Sequence, residues 1–218
     1  ALLTVQSTGT PVLLTSEPLA LWLTLPVLVV YTMLFAWLSH RTAIRLAEHK
    51  RRLELMSTRD GMTGVFNRRH WETLLRNEFE ACRRSHRQAT ILLIDIDHFK
   101  TINDTWGHDV GDEAIVAITR QLQLTLRAGD YIGRFGGDEF AVIMSGTPAE
   151  NAIAAMARVH ERLVNMPLHG APMARLCISV GVAPWGAQFT HYREWLKAAD
   201  VALYKAKNAG RGRTEVAA

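Results

Sequence analysis

An uncharged apolar run, LALWLTLPVLVVYTMLFAWL, extends from Leu19 to Leu38. As a helix rising ~1.5 Å per residue it spans ~30 Å, the hydrocarbon thickness of a bilayer. The pattern predicts a transmembrane helix over 19–38. Pro26 is no obstacle, because neighbouring groups in a membrane helix satisfy the freed carbonyl. A secretory signal would need a basic start and a shorter apolar centre, and the run has neither. Residues 39–57 contain no Pro or Gly, and Leu46, His49, Leu53 and Met56 fall at heptad-like spacing. Two heptads are too few to establish a coiled coil. The stretch is expected to be a connector helix that pairs with a copy of itself.

From Ser57 onward helix and strand patterns alternate. NRRHWETLLRNEFEACRRSH places Trp71, Leu74, Leu75, Phe79 and Cys82 on one helical face. ATILLIDID is a short apolar run ending in acids, the mark of a buried strand. VGDEAIVAITRQLQLTLR reads as a helix. DYIGRF and EFAVIM flank Gly136 and Gly137 and read as a hairpin. TPAENAIAAMARVHERL opens with Thr147, Pro148 and Glu150, a capping-box pattern. ARLCISVGVAP is a strand, and YREWLKAADVALYKAKNAG a helix stopped by Gly210. The expected fold is one α/β domain with a mixed central sheet flanked by helices.

Charge sharpens the topology. The 218 residues carry a net charge of +4. Arg41, Arg45, Lys50, Arg51, Arg52 and Arg59 outnumber Glu48 and Glu54 just after the apolar run, while residues 1–18 hold no Lys or Arg. This asymmetry puts the C-terminal side in the cytoplasm. Residues 1–18 are then an extracytoplasmic loop, or the stub of an earlier span. The chain begins with Ala1, so a fragment or processed form is expected. Cys82 and Cys177 show no metal-ligand spacing and read as reduced residues of a cytoplasmic domain.

The chemistry gathers in acids. Asp95 and Asp97 end the first strand, and Asp138 and Glu139 begin the second arm of the hairpin. If those strands are neighbours, up to four carboxylates approach one another and need a cation or protons. Oxygen ligands with one or two carboxylates are what Mg²⁺ prefers. Gly136 and Gly137, lacking Cβ, allow a tight turn and the approach of a bulky polyanion. An EF-hand reading of DIDHFKTINDTWG fails, because Phe99 and Lys100 stand where a calcium loop needs Asp or Asn and then Gly. Solvated acids at strand ends are the simpler alternative.

RFGGDEF, with DIDHFKTINDTWGHDVGD and DGMTGVFNRRHW upstream and ALYKAKNAGR near the end, resembles the diguanylate cyclases, named for their Gly-Gly-Asp-Glu-Phe signature. The four motifs cover residues 58–213 in the family's order. The membrane segment and connector resemble the anchored cyclases of enteric bacteria linked to cellulose and biofilm control. The resemblance implies a palm-like nucleotidyl-cyclase fold over 58–218, held at the bacterial inner membrane with the catalytic domain in the cytoplasm. It implies a homodimer that joins two GTP into cyclic di-GMP and two pyrophosphates, with no nucleic-acid partner. A catalytically silent cyclic di-GMP receptor and a ligand-free dimerisation module are the alternatives, and the intact signature speaks against both.

By the same resemblance, two Mg²⁺ or Mn²⁺ ions per active site are held by Asp95, the carbonyl of Ile96, Asp138 and Glu139. Asp138 is the proposed base. Asn103 and Asp112 map to guanine recognition, which suits the chemistry: a carboxylate accepts from the N1–H and 2-amino group, donors that adenine lacks. His108 maps to a substrate contact. The backbone amides of His98, Phe99 and Lys100 map to phosphate contacts, with Gly136 and Gly137 beside them. Lys207 and Arg211, expected four apart on one helix face, map to the triphosphate. Arg127, Asp130 and Arg158 map to a site where product binds and inhibits. A surface ion pair is the plain alternative for Arg127 and Asp130.

Overall fold

The computed structural model describes residues 17–56, 58–164, 166–171 and 173–217, with the side chains of the first stretch described from 25 to 45. Residues 1–16, expected to be a loop or the stub of a span, lie outside the described residues. The chain divides into two compact units, Ala1–Met56 and Ser57–Ala218.

In the first unit one helix, α1 (Glu17–Met56), runs without a break through both the apolar run and the expected connector, and Pro26 lies inside it. Its stretch Leu25–Arg45, of mean hydropathy 1.4, is long and apolar enough to cross a membrane. Its large apolar side chains from Leu25 to Ile44 are exposed. The side chains of Leu46, His49, Leu53 and Met56 are outside the described set, so their pairing remains an expectation.

The second unit is a six-stranded mixed sheet in the order β1-β3-β4-β2-β5-β6. The strands are β1 (Phe66–Asn67), β2 (Ala89–Ile96), β3 (Tyr131–Arg134), β4 (Glu139–Ser145), β5 (Ile178–Pro184) and β6 (Thr214–Val216). β2 is antiparallel to β4 on one side and to β5 on the other, while β1∥β3 and β5∥β6 form the edges. The expected hairpin is β3–β4, in antiparallel register. The helices are α2 (Arg68–Ser85), α3 (Phe99–Trp106), α4 (His108–Thr125), α5 (Ala149–Val164) and α6 (Tyr192–Asn208).

Helices cover both sheet faces, so β2 reads as a continuous apolar run rather than an alternating one. On one face Leu92, Ile94, Ile96, Phe140 and Val142 pack with Ile115, Ile118 and Leu122 of α4 and Met156 and Val159 of α5. On the other, Ile91, Ala141 and Ile143 pack with Trp71, Leu75 and Phe79 of α2 and Trp195 of α6. Two tryptophans peg their helices to the sheet: Trp71 Nε1 donates to Tyr131 O at 3.0 Å, and Trp195 Nε1 to Ala183 O at 2.9 Å.

Some helix ends follow the local chemistry and others do not. Asn67 caps α2 by accepting from His70 N at 3.0 Å. α6 stops where Gly210 turns left-handed (φ 111°), and Arg211 N reaches back to Ala206 O at 3.1 Å, a Schellman closure. The capping box expected at Thr147 does not form that way. The Thr147 hydroxyl donates to Ser145 O at 3.2 Å and accepts from Arg127 Nη2 at 2.9 Å, and α5 begins two residues later.

β5 and α6 meet at Gly181, where a Cβ would run into the backbone of Ala199 and Leu203. Backbone cannot swing aside, so Gly181→Ala should cost ~1–3 kcal/mol. At about 2–4 °C per kcal/mol for a domain of this size, its melting transition should fall by several degrees. Gly129→Ala, where a Cβ meets nothing within 4 Å, should be near neutral in the same thermal scan.

Candidate active site

The C-terminal end of β2 gathers the expected site. Asp95 pairs in register with Glu139 of β4 and Ser179 of β5. One step further, Ile96 N donates to Asp138 O at 3.2 Å, which brings Asp138 beside the strand end. Burial pushes the Asp95 carboxyl above its ordinary value; Lys207 works against this, while the charges of Asp138 and Asp97 add to it. Lys207 Nζ lies 2.7 Å from Asp95 Oδ2, so an ammonium from α6 already partly balances the acids.

The four expected carboxylates do not all converge. Asp97 is 4 % exposed and leans toward β5, away from β4. Its Oδ1 accepts from Ser179 Oγ at 2.6 Å and its Oδ2 from Gly212 N at 2.8 Å. Among the described residues no three His, Cys, Asp or Glu side chains stand grouped to hold a metal. The donor set nevertheless fits a hard divalent ion. Mg²⁺ is usually held by one or two carboxylates together with substrate phosphates rather than by an all-protein cage. Asp95, Asp138 and the Ile96 carbonyl are the groups that would supply such a half-site.

The signature turn is built differently from expectation. Gly136 and Gly137 are absent from the glycines with positive φ, so the turn does not need their backbone freedom. Nor does packing need them. A Cβ at 137 would meet nothing within 4 Å, and one at 136 only Glu139 Oε2 at 3.4 Å. What they leave is open space beside the acids. The turn is held from behind by Arg134, which donates to Gly136 O at 3.1 Å and to Gly137 O at 2.8 Å. Arg134 also pairs with Asp60 at 3.2 Å. Burial would raise the Asp60 carboxyl, but the bonds from Thr63 and Arg134 outweigh it and hold it low.

Asn103 (α3) and Asp112 (α4) sit on helices divided by Gly107, whose φ is 87°. Asp112 is exposed and Asn103 half-buried. The Asn103 amide lies over Gly111, where any Cβ would overlap Asn103 Oδ1 and approach Phe99 Cζ at 3.3 Å. His108 is the exposed first residue of α4. His98, left-handed at φ 57°, is the residue just before α3, with Phe99 and Lys100 in the helix's first turn, where amides lack intrahelical acceptors. Lys207 and Arg211 do not share a helix face. α6 ends at Asn208, and Arg211 lies beyond the Schellman turn, left-handed at φ 61° and exposed.

Arg127, Asp130 and Arg158 line one cavity of about 250 Å³ with Asn151 and Thr147. Arg127 Nε is 3.3 Å from Asp130 Oδ1, and Arg127 N donates to Asp130 Oδ2 at 3.1 Å. Arg127 Nη2 also bonds Ser145 O and Thr147 Oγ1. Burial raises the Asp130 carboxyl, against the bonds and charge of Arg127. The ion pair is thus formed and tied to the end of β4, with Arg158 facing the same space.

Sequence reasoning does not reach Asp60, Gly111, Arg134 and Ser179 as site residues, and it places Asp97 in the acid cluster rather than against Ser179 and Gly212. Asp60 and Arg134 lie inside the quoted motifs DGMTGVFNRRHW and RFGGDEF, which was the available signal.

Residues 57–213 match the family described as "Diguanylate cyclase, GGDEF domain". The chain belongs to that family. It is 70% identical over 217 residues to the probable diguanylate cyclase DgcC of Escherichia coli, covering all of this chain and 58% of that protein. The chain therefore spans just over half the length of that relative. It is 34% identical over 160 residues to the diguanylate cyclase DosC of E. coli, covering 72% of this chain and 34% of that protein. The GGDEF domain of DgcB from Caulobacter crescentus, solved in complex with c-di-GMP, superposes with TM-score 0.71 at 27% identity, covering 74% of this chain and 96% of that one. The diguanylate cyclase SiaD of Pseudomonas aeruginosa, solved with its activator SiaC, gives 0.69 at 32% identity, over 92% of this chain and 80% of that one. The palm-like fold is therefore shared across the family.

The raised Asp95 carboxyl has a testable sign. A folded value above the unfolded one means that the native state loses stability as pH rises through the window between them, because the charged form is the disfavoured one. In EDTA at neutral pH, Asp95→Asn should melt no lower than the wild type. Mg²⁺ or Mn²⁺ with GTP should raise the wild-type melting temperature and leave the variant much less changed.

Proposed function

We propose that this chain is an active diguanylate cyclase that works as a homodimer at the inner membrane, joining two GTP into cyclic di-GMP. The observation that carries this reading is the signature turn. Two glycines that neither backbone nor packing requires stand directly before Asp138 and Glu139, and Glu139 is paired in register with Asp95, which Lys207 contacts. Space kept free beside paired acids and a cation suits a metal-bound triphosphate.

In this reading Asn103 and Asp112 read the guanine, with His108 at their side. GTP is preferred because adenine would leave the Asp112 carboxylate without donors, a mismatch worth ~10⁴-fold or more. The amides of His98, Phe99 and Lys100, with Lys207 and Arg211, hold the phosphates. Lys207 exchanges its partner Asp95 for a phosphate oxygen as the nucleotide arrives. Asp95, the Ile96 carbonyl and Asp138 would hold divalent ions, with Glu139 in support. When bound, such ions polarise the α-phosphate and ease ionisation of the hydroxyl. Asp138 takes the 3′-hydroxyl proton. The freed oxygen bonds to the α-phosphorus of the other GTP, and the bond to the β-phosphate breaks to release pyrophosphate. Each chain carries one guanine-reading pair, so two chains must face each other to close the ring.

We further propose that α1 crosses the inner membrane over 19–38, that 39–57 connects and pairs, and that 58–218 is the cytoplasmic catalytic domain. The Arg and Lys residues after the apolar run support this orientation. Output toward biofilm and cellulose production follows from the resemblance to enteric cyclases. The Arg127, Asp130 and Arg158 cavity is assigned to product. Arg offers a planar fork to a phosphate or guanine edge, and the cavity is separate from the acids on β2 and β4.

Purified chain incubated with GTP and Mg²⁺ should yield cyclic di-GMP and pyrophosphate by chromatography, with ATP left largely unconverted. Asp138→Asn should retain its fold by circular dichroism and lose turnover by at least ~10²-fold. Near wild-type turnover would remove Asp138 from the chemistry.

Feedback is tested by calorimetry and by initial rates with added product. Losing one charge-assisted contact costs ~1.5–3 kcal/mol, or roughly 10–100-fold in affinity. Arg158→Ala and Arg127→Ala should each weaken binding and inhibition together, with the rate before product accumulates near wild type. Equal inhibition of wild type and both variants would leave Arg127 and Asp130 as an ion pair alone.

A further inference from the structure

Asp97 has no part in the chemistry above, yet it is a buried carboxylate beside the acids of the site. Its two bonds are to a hydroxyl, Ser179 Oγ, and to a backbone amide, Gly212 N. Neither partner carries a charge. A buried carboxylate near Asp95, whose hydrogen-bond donors among the described residues are these two neutral groups, is costly to keep. Stability alone gives no reason to keep it there.

What it holds is unusual backbone. Gly210, Arg211 and Gly212 are left-handed in succession, with φ of 111°, 61° and 59°. Glycine adopts that region freely, whereas Arg211 keeps it only if its surroundings impose it. Before Arg211, its own N–H is fixed to Ala206 O at 3.1 Å. After it, the Gly212 N–H is fixed to Asp97 Oδ2 at 2.8 Å, and Arg213 O accepts from Val180 N at 2.9 Å. The peptide that follows the Arg211 Cα is therefore clamped by Asp97. Asp95 holds the other end of the same segment through Lys207. Two aspartates two residues apart thus hold this segment at two points, the Lys207 ammonium by direct contact and the backbone after Arg211 through the Gly212 amide.

We propose that Asp97 is a positioning residue that sets Arg211 for the triphosphate of the nucleotide, by anchoring the Arg211–Gly212 peptide. This rests on the assignment of Arg211 to the triphosphate made under the proposed function. A purely structural role for Asp97 would weaken every ligand alike. A positioning role weakens only what Arg211 holds.

The test is a double-mutant cycle read by equilibrium binding of a non-hydrolysable GTP analogue and of GMP, with thermal melts to confirm folding. Asp97→Ala and Arg211→Ala should each weaken the triphosphate analogue by about tenfold and leave GMP within about twofold, and the double variant should be little worse than either, the non-additivity of a coupled pair. With Asp112→Ala the loss should multiply instead. Asp97→Asn can still accept from Gly212 N while its amide donates to Ser179, so it should restore most of the affinity that Asp97→Ala loses. If Asp97→Ala does not fold, Ser179→Ala releases one oxygen of Asp97 without touching 210–214, and the triphosphate should then weaken by roughly two- to fivefold with GMP unchanged. If Arg211→Ala leaves triphosphate binding intact, the Arg211 assignment fails and this inference fails with it. If Arg211→Ala weakens binding but Asp97→Ala and Ser179→Ala do not, or the Asp97 and Arg211 losses multiply, only the positioning role is overturned.

Discussion

β2 is hydrogen-bonded along both edges and covered on both faces. A strand in that position has no surface except its ends. Polar chemistry attached to it can only appear where the ladder runs out, at Asp95, Ile96 and Asp97. The neighbouring strands then decide what meets those residues. β4 brings Glu139 opposite Asp95 and Asp138 beside Ile96, while β5 brings Ser179 to Asp97. Moving β2 by one residue would exchange the apolar residues of both cores and carry the acids to opposite faces at once. The packing that gives the domain its register also places the reactive groups.

Charge at that end is balanced by parts distant in sequence. Lys207 comes from the last turn of α6, and the Gly212 amide from the turn beyond it. α6 is itself seated by Trp195 on β5 and by its close approach at Gly181. The second helix layer therefore does more than cover an apolar face: it sets how much of the acids' repulsion is met within the protein. The Asp95 carboxyl stays raised all the same, chiefly through burial and then through the charges of Asp138 and Asp97.

Much of this was legible in the sequence where the signal is local. The apolar run ending in acids marked β2, the two glycines marked the hairpin, and Gly210 marked the end of α6. Other parts carried no local signal. β1 and β6 are two and three residues long, too short for any periodicity. α3 and α4 are divided only by the turn at Gly107. Lys207 and Arg211, four apart, looked like one helix face until the Schellman turn came between them. Asp97 looked like one more member of an acid cluster, because its partners lie 82 and 115 residues away. The capping box at Thr147 gave way because the hydroxyl found Ser145 and Arg127 instead.

Gly111 and Asn103 occupy one space between them: the amide oxygen stands where a methyl group at 111 would have to be. Such a pair cannot drift independently. A larger residue at 111 fits only if the Asn103 amide swings away from where it stands, and an amide that has swung away no longer faces what it faced before. The orientation of a side chain on α3 is thus conditional on the absence of one on α4. The corner assigned above to reading the base therefore depends on a residue that itself offers no functional group.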